Sequence, residues 1–186
     1  MIEMKRRLAK LLLEKSYREG EFTLSSGKKT TYYFDCRQSA LYPEGAWLIG
    51  HLFADMIKDI PATAVGGMTL GADPLVTATS IVAWQQGRSL AGLLVRKEAK
   101  GHGGKQYIEG LANVIPGDRV IILEDVITSG ASVLKACQRV QEANLTVAAV
   151  CAILDREEGG REAVNTAGFE LKCLFTRAEL VTMGRS

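Results

Sequence analysis

The sequence has little of what would place a 186-residue chain in a special class. Its 4 cysteines, Cys36, Cys137, Cys151 and Cys173, include no CxxC pair, and only 2 histidines accompany them. That excludes a zinc site of the usual clustered kind. The same spacing argues against a disulfide framework and for reduced, mostly buried thiols in a cytoplasmic protein. Charge of one sign is not in excess: 23 Lys+Arg face 21 Asp+Glu, a net of +2. Bulk charge therefore supplies no case for a nucleic-acid partner or an anionic membrane, and anion recognition must come from a local cluster. No apolar run approaches the roughly 20 residues that cross a bilayer. No G-x-x-x-x-G-K-[ST] loop is present, so the nucleotide chemistry of that motif is excluded. Repeats, low-complexity tracts and linkers are absent too.

What remains is an ordinary globular composition, 47% hydrophobic and 24% charged, with a mean hydropathy of +0.05. It is enough for one domain, residues 1–186, to bury a core without staples. The opening stretch through Lys15 resembles a signal peptide only superficially. Lys10 and Glu14 break its apolar run, and Leu8, Leu11 and Leu12 mark one face of an amphipathic helix. Residues 21–37 read as a hairpin with a Ser25-Ser26-Gly27-Lys28 turn. Pro43 opens a helix running to about Lys58.

From there the pattern alternates. Strands are expected at 62–65, 90–95, 120–123, 147–154 and 169–174. Helices are expected at about 73–86, 129–143 and 159–166. Residues 96–110, charged and rich in glycine, read as a loop. Strands separated by helices of this length imply βαβ units and a parallel sheet flanked by helices, an α/β fold. Residues 1–40 stand outside the alternation and are expected to cap the sheet.

In a parallel sheet, ligands bind at the carboxyl ends of strands. Val120-Ile121-Ile122-Leu123, apolar throughout and so buried on both faces, runs directly into Glu124 and Asp125. Val126 and Ile127 follow, and then Thr128-Ser129-Gly130-Ala131-Ser132 opens a helix. Small and hydroxyl residues at a helix start let successive amides converge on a phosphate. A simple N-cap preceded by solvated acids would need only one such residue. Carboxylates do not bind phosphate, so the acids suit sugar hydroxyls or a positively charged ribosyl transition state. A second cluster is Arg96, Lys97, Lys100, His102 and Lys105 among Gly101, Gly103 and Gly104. Such a segment cannot pack a core, but it can fold over a diphosphate and neutralise a leaving group; the alternative is a solvated charged loop. His51, mid-helix without chemical neighbours, is expected to be structural.

The Glu124–Ser132 segment resembles the phosphoribosyl diphosphate (PRPP) motif of the type I phosphoribosyltransferases. Arg96-Lys-Glu-Ala-Lys-Gly-His-Gly resembles the catalytic loop of the orotate phosphoribosyltransferases. Leu154-Asp-Arg-Glu-Glu-Gly-Gly resembles their base-recognition segment, and Phe22-Thr-Leu-Ser-Ser-Gly with Tyr33-Phe-Asp resembles their N-terminal hood. The four occur in family order and span nearly the whole chain.

The resemblance implies a type I phosphoribosyltransferase-like sheet with residues 1–40 as hood. It implies that PRPP is held by Arg96, Lys97, Lys100, His102 and Glu124 through Ser132. Lys100, His102, Glu124 and Asp125 would act in catalysis. It gives orotate to Arg156, whose guanidinium suits a carboxylate, and to Thr128. Taken alone, Arg156 reads as a partner of Asp155 or Glu157. Tyr33 and Phe34 would wall the base, unless they are core. Mg²⁺ bridging substrate oxygens would be the cofactor, with no protein metal ligand assigned. A homodimer sharing the loop across its interface is implied as well. The chain departs from many relatives at Gly71 and Ser25, where they carry lysine; Lys28 or Lys29 would be the substitutes. The expected activity is orotate phosphoribosyl transfer in UMP synthesis. The alternatives are transfer to uracil or a purine, and a PRPP-sensing regulator of the same fold.

Overall fold

The computed structural model describes residues 1–23, 29–99 and 106–185. Its centre is a six-stranded sheet in the order β5-β4-β3-β6-β7-β8. These strands are β3 (Ala64–Met68), β4 (Ala91–Val95), β5 (Ile108–Glu109), β6 (Arg119–Ile127), β7 (Thr146–Asp155) and β8 (Leu171–Thr176). All neighbours pair in parallel except β5, which runs antiparallel to β4. The α/β expectation holds, and the reason is visible in the burial. Val120 and Ile122 of β6 pack into one core cluster, Ile121 and Leu123 into another, so both faces of the strand are covered.

One face is covered by α1 (Ile2–Lys15), α3 (Pro43–Met56) and α4 (Asp73–Gln85), through Leu8, Leu12, Ile49, Phe53 and Leu75. The other is covered by α5 (Ala131–Glu142) and α6 (Gly160–Thr166), through Val133, Val140 and Val164. Burying a side chain such as Phe53 contributes roughly 2 kcal/mol. Pro43 begins α3, as its fixed φ favours. Outside the sheet, β1 (Tyr17–Thr23) and β2 (Lys29–Phe34) form an antiparallel hairpin, followed by the single turn α2 (Arg37–Ala40). This hairpin stands apart from the six-stranded sheet, within the segment expected to form the hood. In contrast, α1 belongs to the main core rather than to a cap.

Several boundaries differ from the sequence expectation. β1 starts at Tyr17, because Tyr17-Arg-Glu-Gly-Glu shows no apolar alternation to mark it. β3 continues through Gly66 and Gly67 to Met68. α5 begins at Ala131 rather than near Ser129, since Gly130 takes φ +80° and holds Thr128–Gly130 as a loop. β5 is only two residues long. The helix α7 (Arg177–Arg185) was not expected from the sequence. It packs on α1 through Gly184, where an added Cβ would meet the Leu13 side chain and the Ala9 carbonyl.

Candidate active site

The chain passes from β3 outward to β4, then returns to the other side of β3 at β6. Two neighbouring parallel strands thus send their following loops in opposite directions, and a crevice opens at their carboxyl ends. Gly67 permits the close approach that shapes it. A Cβ there would lie 2.2 Å from the Leu123 carbonyl and 2.4 Å from the Ala72 Cβ.

The crevice is a cavity of about 420 Å³. Thr69, Leu70 and Gly71 line it from the turn after β3, and Lys97 from the segment after β4. Glu124 and Asp125 come from β6, Thr128 from the loop after it, Ser132 from the first turn of α5, and Arg156 from just after β7. Tyr33 and Phe34 of β2 form its hood side. A smaller hollow of about 80 Å³ adjoins it, walled by the whole run from Val126 to Ser132 with Glu124. Here the Thr128–Gly130 loop and the N-terminus of α5 present backbone amides, a setting for one phosphate. Gly160 braces that loop from behind: a Cβ on it would fall 2.4 Å from the Thr128 carbonyl.

The two acids are not equivalent. Glu124 is buried, and its Oε2 has no hydrogen-bond partner. Its Oε1 accepts from the Asp125 N–H at 3.2 Å. Burial first, then the neighbouring Asp125 charge, pushes the Glu124 carboxyl up to about 8, against which the Ser132 hydroxyl acts. Burial thus favours the neutral form of this carboxyl over its ionised form. Asp125 is half-buried and holds the Val126 N–H at 2.8 Å. Its carboxyl faces Gly71, where an added Cβ would come within 3.0 Å.

Arg156 is fixed rather than free. Its Nη2 lies 2.8 Å from Glu158 and its Nε donates to the Tyr32 hydroxyl at 2.9 Å. The sequence offered Asp155 or Glu157 as its ion partner; the structure corrects this to Glu158. Asp155 instead binds Arg161 at 2.8 Å. Glu157, at φ +60°, turns its carboxylate to the Ala178 N–H. Tyr32 is thus a site residue the sequence reading missed; its neighbours Tyr33 and Phe34 were chosen for their flat faces. Tyr33 is exposed and packs on Phe22 at 5.6 Å between ring centroids, while Phe34 also belongs to the core.

Not every expected residue reaches the cavity. Arg96 pairs with Glu109 at 2.9 Å, and its N–H donates to the Tyr107 carbonyl at 2.7 Å, at the stem where β4 meets β5. Ile127 lines only the smaller hollow and otherwise packs into the core. Lys100 and His102 lie outside the described residues, as do Ser25 and Lys28. His51 stays on α3 with its Nδ1 2.9 Å from the Trp47 carbonyl, away from the cavity. The four cysteines are free, and burial pushes the Cys137, Cys151 and Cys173 thiols up to about 12. Among the described residues, no helix is long and apolar enough to cross a membrane.

No protein-family model matches the chain. Relatives and solved structures do. The orotate phosphoribosyltransferase of Thermosynechococcus vestitus is 46% identical over 180 residues, covering 97% of this chain and 94% of its own. That of Aquifex aeolicus is 45% identical over 178 residues, 94% of this chain and 96% of its own. The Mycobacterium tuberculosis orotate phosphoribosyltransferase in complex with PRPP superposes with a TM-score of 0.79 at 33% identity, covering 96% of this chain and 99% of that one. The same enzyme in complex with Fe(III) dicitrate gives a TM-score of 0.84 at 37% identity, over 95% and 98%. With relatives this similar over nearly its full length, the chain belongs to the orotate phosphoribosyltransferase family.

Proposed function

We propose that this chain transfers the ribose 5-phosphate group of PRPP to N1 of orotate, giving orotidine 5′-monophosphate and diphosphate on the route to UMP. The observation that carries the assignment of the base is Arg156. It is a guanidinium held rigid by Tyr32 and Glu158 at the cavity wall, next to the phosphate cradle. Orotate differs from uracil by one carboxylate, and a planar fork binds a carboxylate through two parallel hydrogen bonds.

The residues divide the remaining work. The Thr128–Ser132 loop receives the 5′-phosphate on backbone amides. Glu124 and Asp125 meet the ribose hydroxyls, and Asp125 faces the positive charge that develops at C1 as diphosphate departs. No covalent nucleophile is required; the site acts by positioning and electrostatics. Lys97, with Lys100 and His102, supplies cations to the leaving diphosphate. For Arg96 to join them it must exchange Glu109 for substrate.

Among the described residues, no group of three or more His, Cys, Asp or Glu side chains is arranged to hold a metal. This donor set fits a hard cation that would arrive with its phosphate-bearing substrate, and Asp125 and Glu124 are the carboxylates in the cavity that would face it. Mg²⁺ so bound would neutralise diphosphate charge.

We further propose that residues 1–186 act as one catalytic domain and pair as a homodimer. The paired face would be that of α3 and α4, where a groove of about 600 Å³ lies beside exposed Trp47 and Ile81, with Leu41 at its rim. The segment with Lys100 and His102 would serve the neighbouring subunit's site. The test is direct. Orotate absorbance is followed on adding PRPP and Mg²⁺, and the product is identified by mass. Orotidine 5′-monophosphate is the expected product, and unchanged orotate refutes the assignment.

A further inference from the structure

We propose that Arg37 is a further substrate-binding residue of this site, its guanidinium contacting the diphosphate of PRPP. The inference rests on the reading of the cavity given above. The two substrates bring three anionic groups. The cradle takes the 5′-phosphate and Arg156 takes the carboxylate, so the diphosphate needs its own cations. The turn after β3 offers none: it is Thr69-Leu70-Gly71, and a side chain at Gly71 would run into the Asp125 carboxyl. Among the described residues, the cations lining the cavity are Arg37, Lys97 and Arg156.

Arg37 opens α2 directly after the hood strand. Its Nε and Nη2 grip the Asp35 carboxylate at 2.8 and 3.1 Å, leaving Nη1 outside that pair. Asp35 is itself anchored. Its N–H donates to the Ser16 carbonyl at 2.9 Å, and its carboxylate accepts from the Gln38 amide at 3.2 Å. The guanidinium is thus oriented in advance, which lowers the ordering cost of gripping a second anion. Arg37 and Asp125 line the same cavity. Asp125 is the group that faces both the ribose and the open position at Gly71. Arg37 thus reaches the same cavity as Asp125 and the Thr69–Gly71 turn, from the hood segment.

The test compares Arg37→Ala, Arg37→Lys and Asp35→Asn with the unaltered enzyme. PRPP and diphosphate binding are measured by calorimetry, and KM values for PRPP and orotate are measured separately. Loss of one charge-assisted contact should weaken PRPP and diphosphate binding about tenfold to a hundredfold in Arg37→Ala. The orotate KM should stay within about twofold, and Arg37→Lys should recover part of the loss. Asp35→Asn keeps the guanidinium and should retain diphosphate binding. Unchanged PRPP and diphosphate affinity in Arg37→Ala overturns the proposal. So does an equal loss in Asp35→Asn, because the pair would then be structural only. An enzyme that binds PRPP but does not convert orotate would overturn the functional reading and leave the calorimetric result on Arg37 standing.

Discussion

Replacing Arg156 by alanine should separate the two substrates. In the structure its side chain is only 9% exposed and is held by two contacts, Glu158 at 2.8 Å and the Tyr32 hydroxyl at 2.9 Å. On binding orotate, the guanidinium trades or shares Glu158 for the substrate carboxylate. The gain is therefore smaller than two full charge-assisted bonds. One such bond contributes about 1.5–3 kcal/mol, so the loss in kcat/KM for orotate should be about 10- to 150-fold. PRPP binds at the cradle and the diphosphate wall, so its KM should change by less than about twofold. Lysine at this position keeps the charge and loses the fork, and it should recover only a small part. Tyr32→Phe removes one restraint and should cost less than Arg156→Ala while acting on the same parameter. Steady-state kinetics with each substrate varied in turn reads all three. Equal losses for PRPP and orotate would refute the assignment, because they would mean that Arg156 holds the site together rather than the base.

Other consequences are as specific. Burial raises the Glu124 carboxyl in the folded state, while the unfolded chain loses its proton near the ordinary value of 4.5. This group's contribution to stability therefore falls as pH rises from about there toward about 8, and Glu124→Gln should flatten that decline in thermal melts. Gly67→Ala drives a Cβ into the Leu123 carbonyl and should destabilise the fold by at least about 3 kcal/mol, read as a lowered melting temperature. Trp84 is exposed on the α4 side of the proposed dimer face, and Trp84→Glu should yield monomers in sedimentation. In mixed dimers of Lys100→Ala with Asp125→Asn subunits, one site should regain activity; no recovery would contradict the shared site.

How much was readable in the sequence follows from what each element needs. The β6 strand and the placement of Glu124, Asp125 and the Thr128–Ser132 run along the crevice were legible because one short run encodes a doubly buried strand followed by a helix start. Arg156 was legible as a site residue, but its partner was not. The positive φ of Glu157 throws the nearer acid outward, and periodicity carries no sign of that. Arg37 was passed over because the hood was judged by its aromatics, and the sequence does not show that the turn after β2 faces the cavity. The tie of Arg96 to Glu109 was not legible: it depends on the β4–β5 pairing, and two residues of strand are too few to read. The helix α7 escaped because only Leu180 of it is buried. Its packing depends on Gly184 meeting α1 from the far end of the chain.

The most direct test of the central claim is diphosphate release from PRPP and Mg²⁺ with orotate, uracil and hypoxanthine offered in parallel. The site described here predicts release with orotate alone, because only orotate carries the carboxylate that Arg156 is placed to bind. Release with uracil or hypoxanthine at a comparable rate would contradict it, leaving the phosphate cradle and the paired acids in place and removing Arg156 as the determinant of the base.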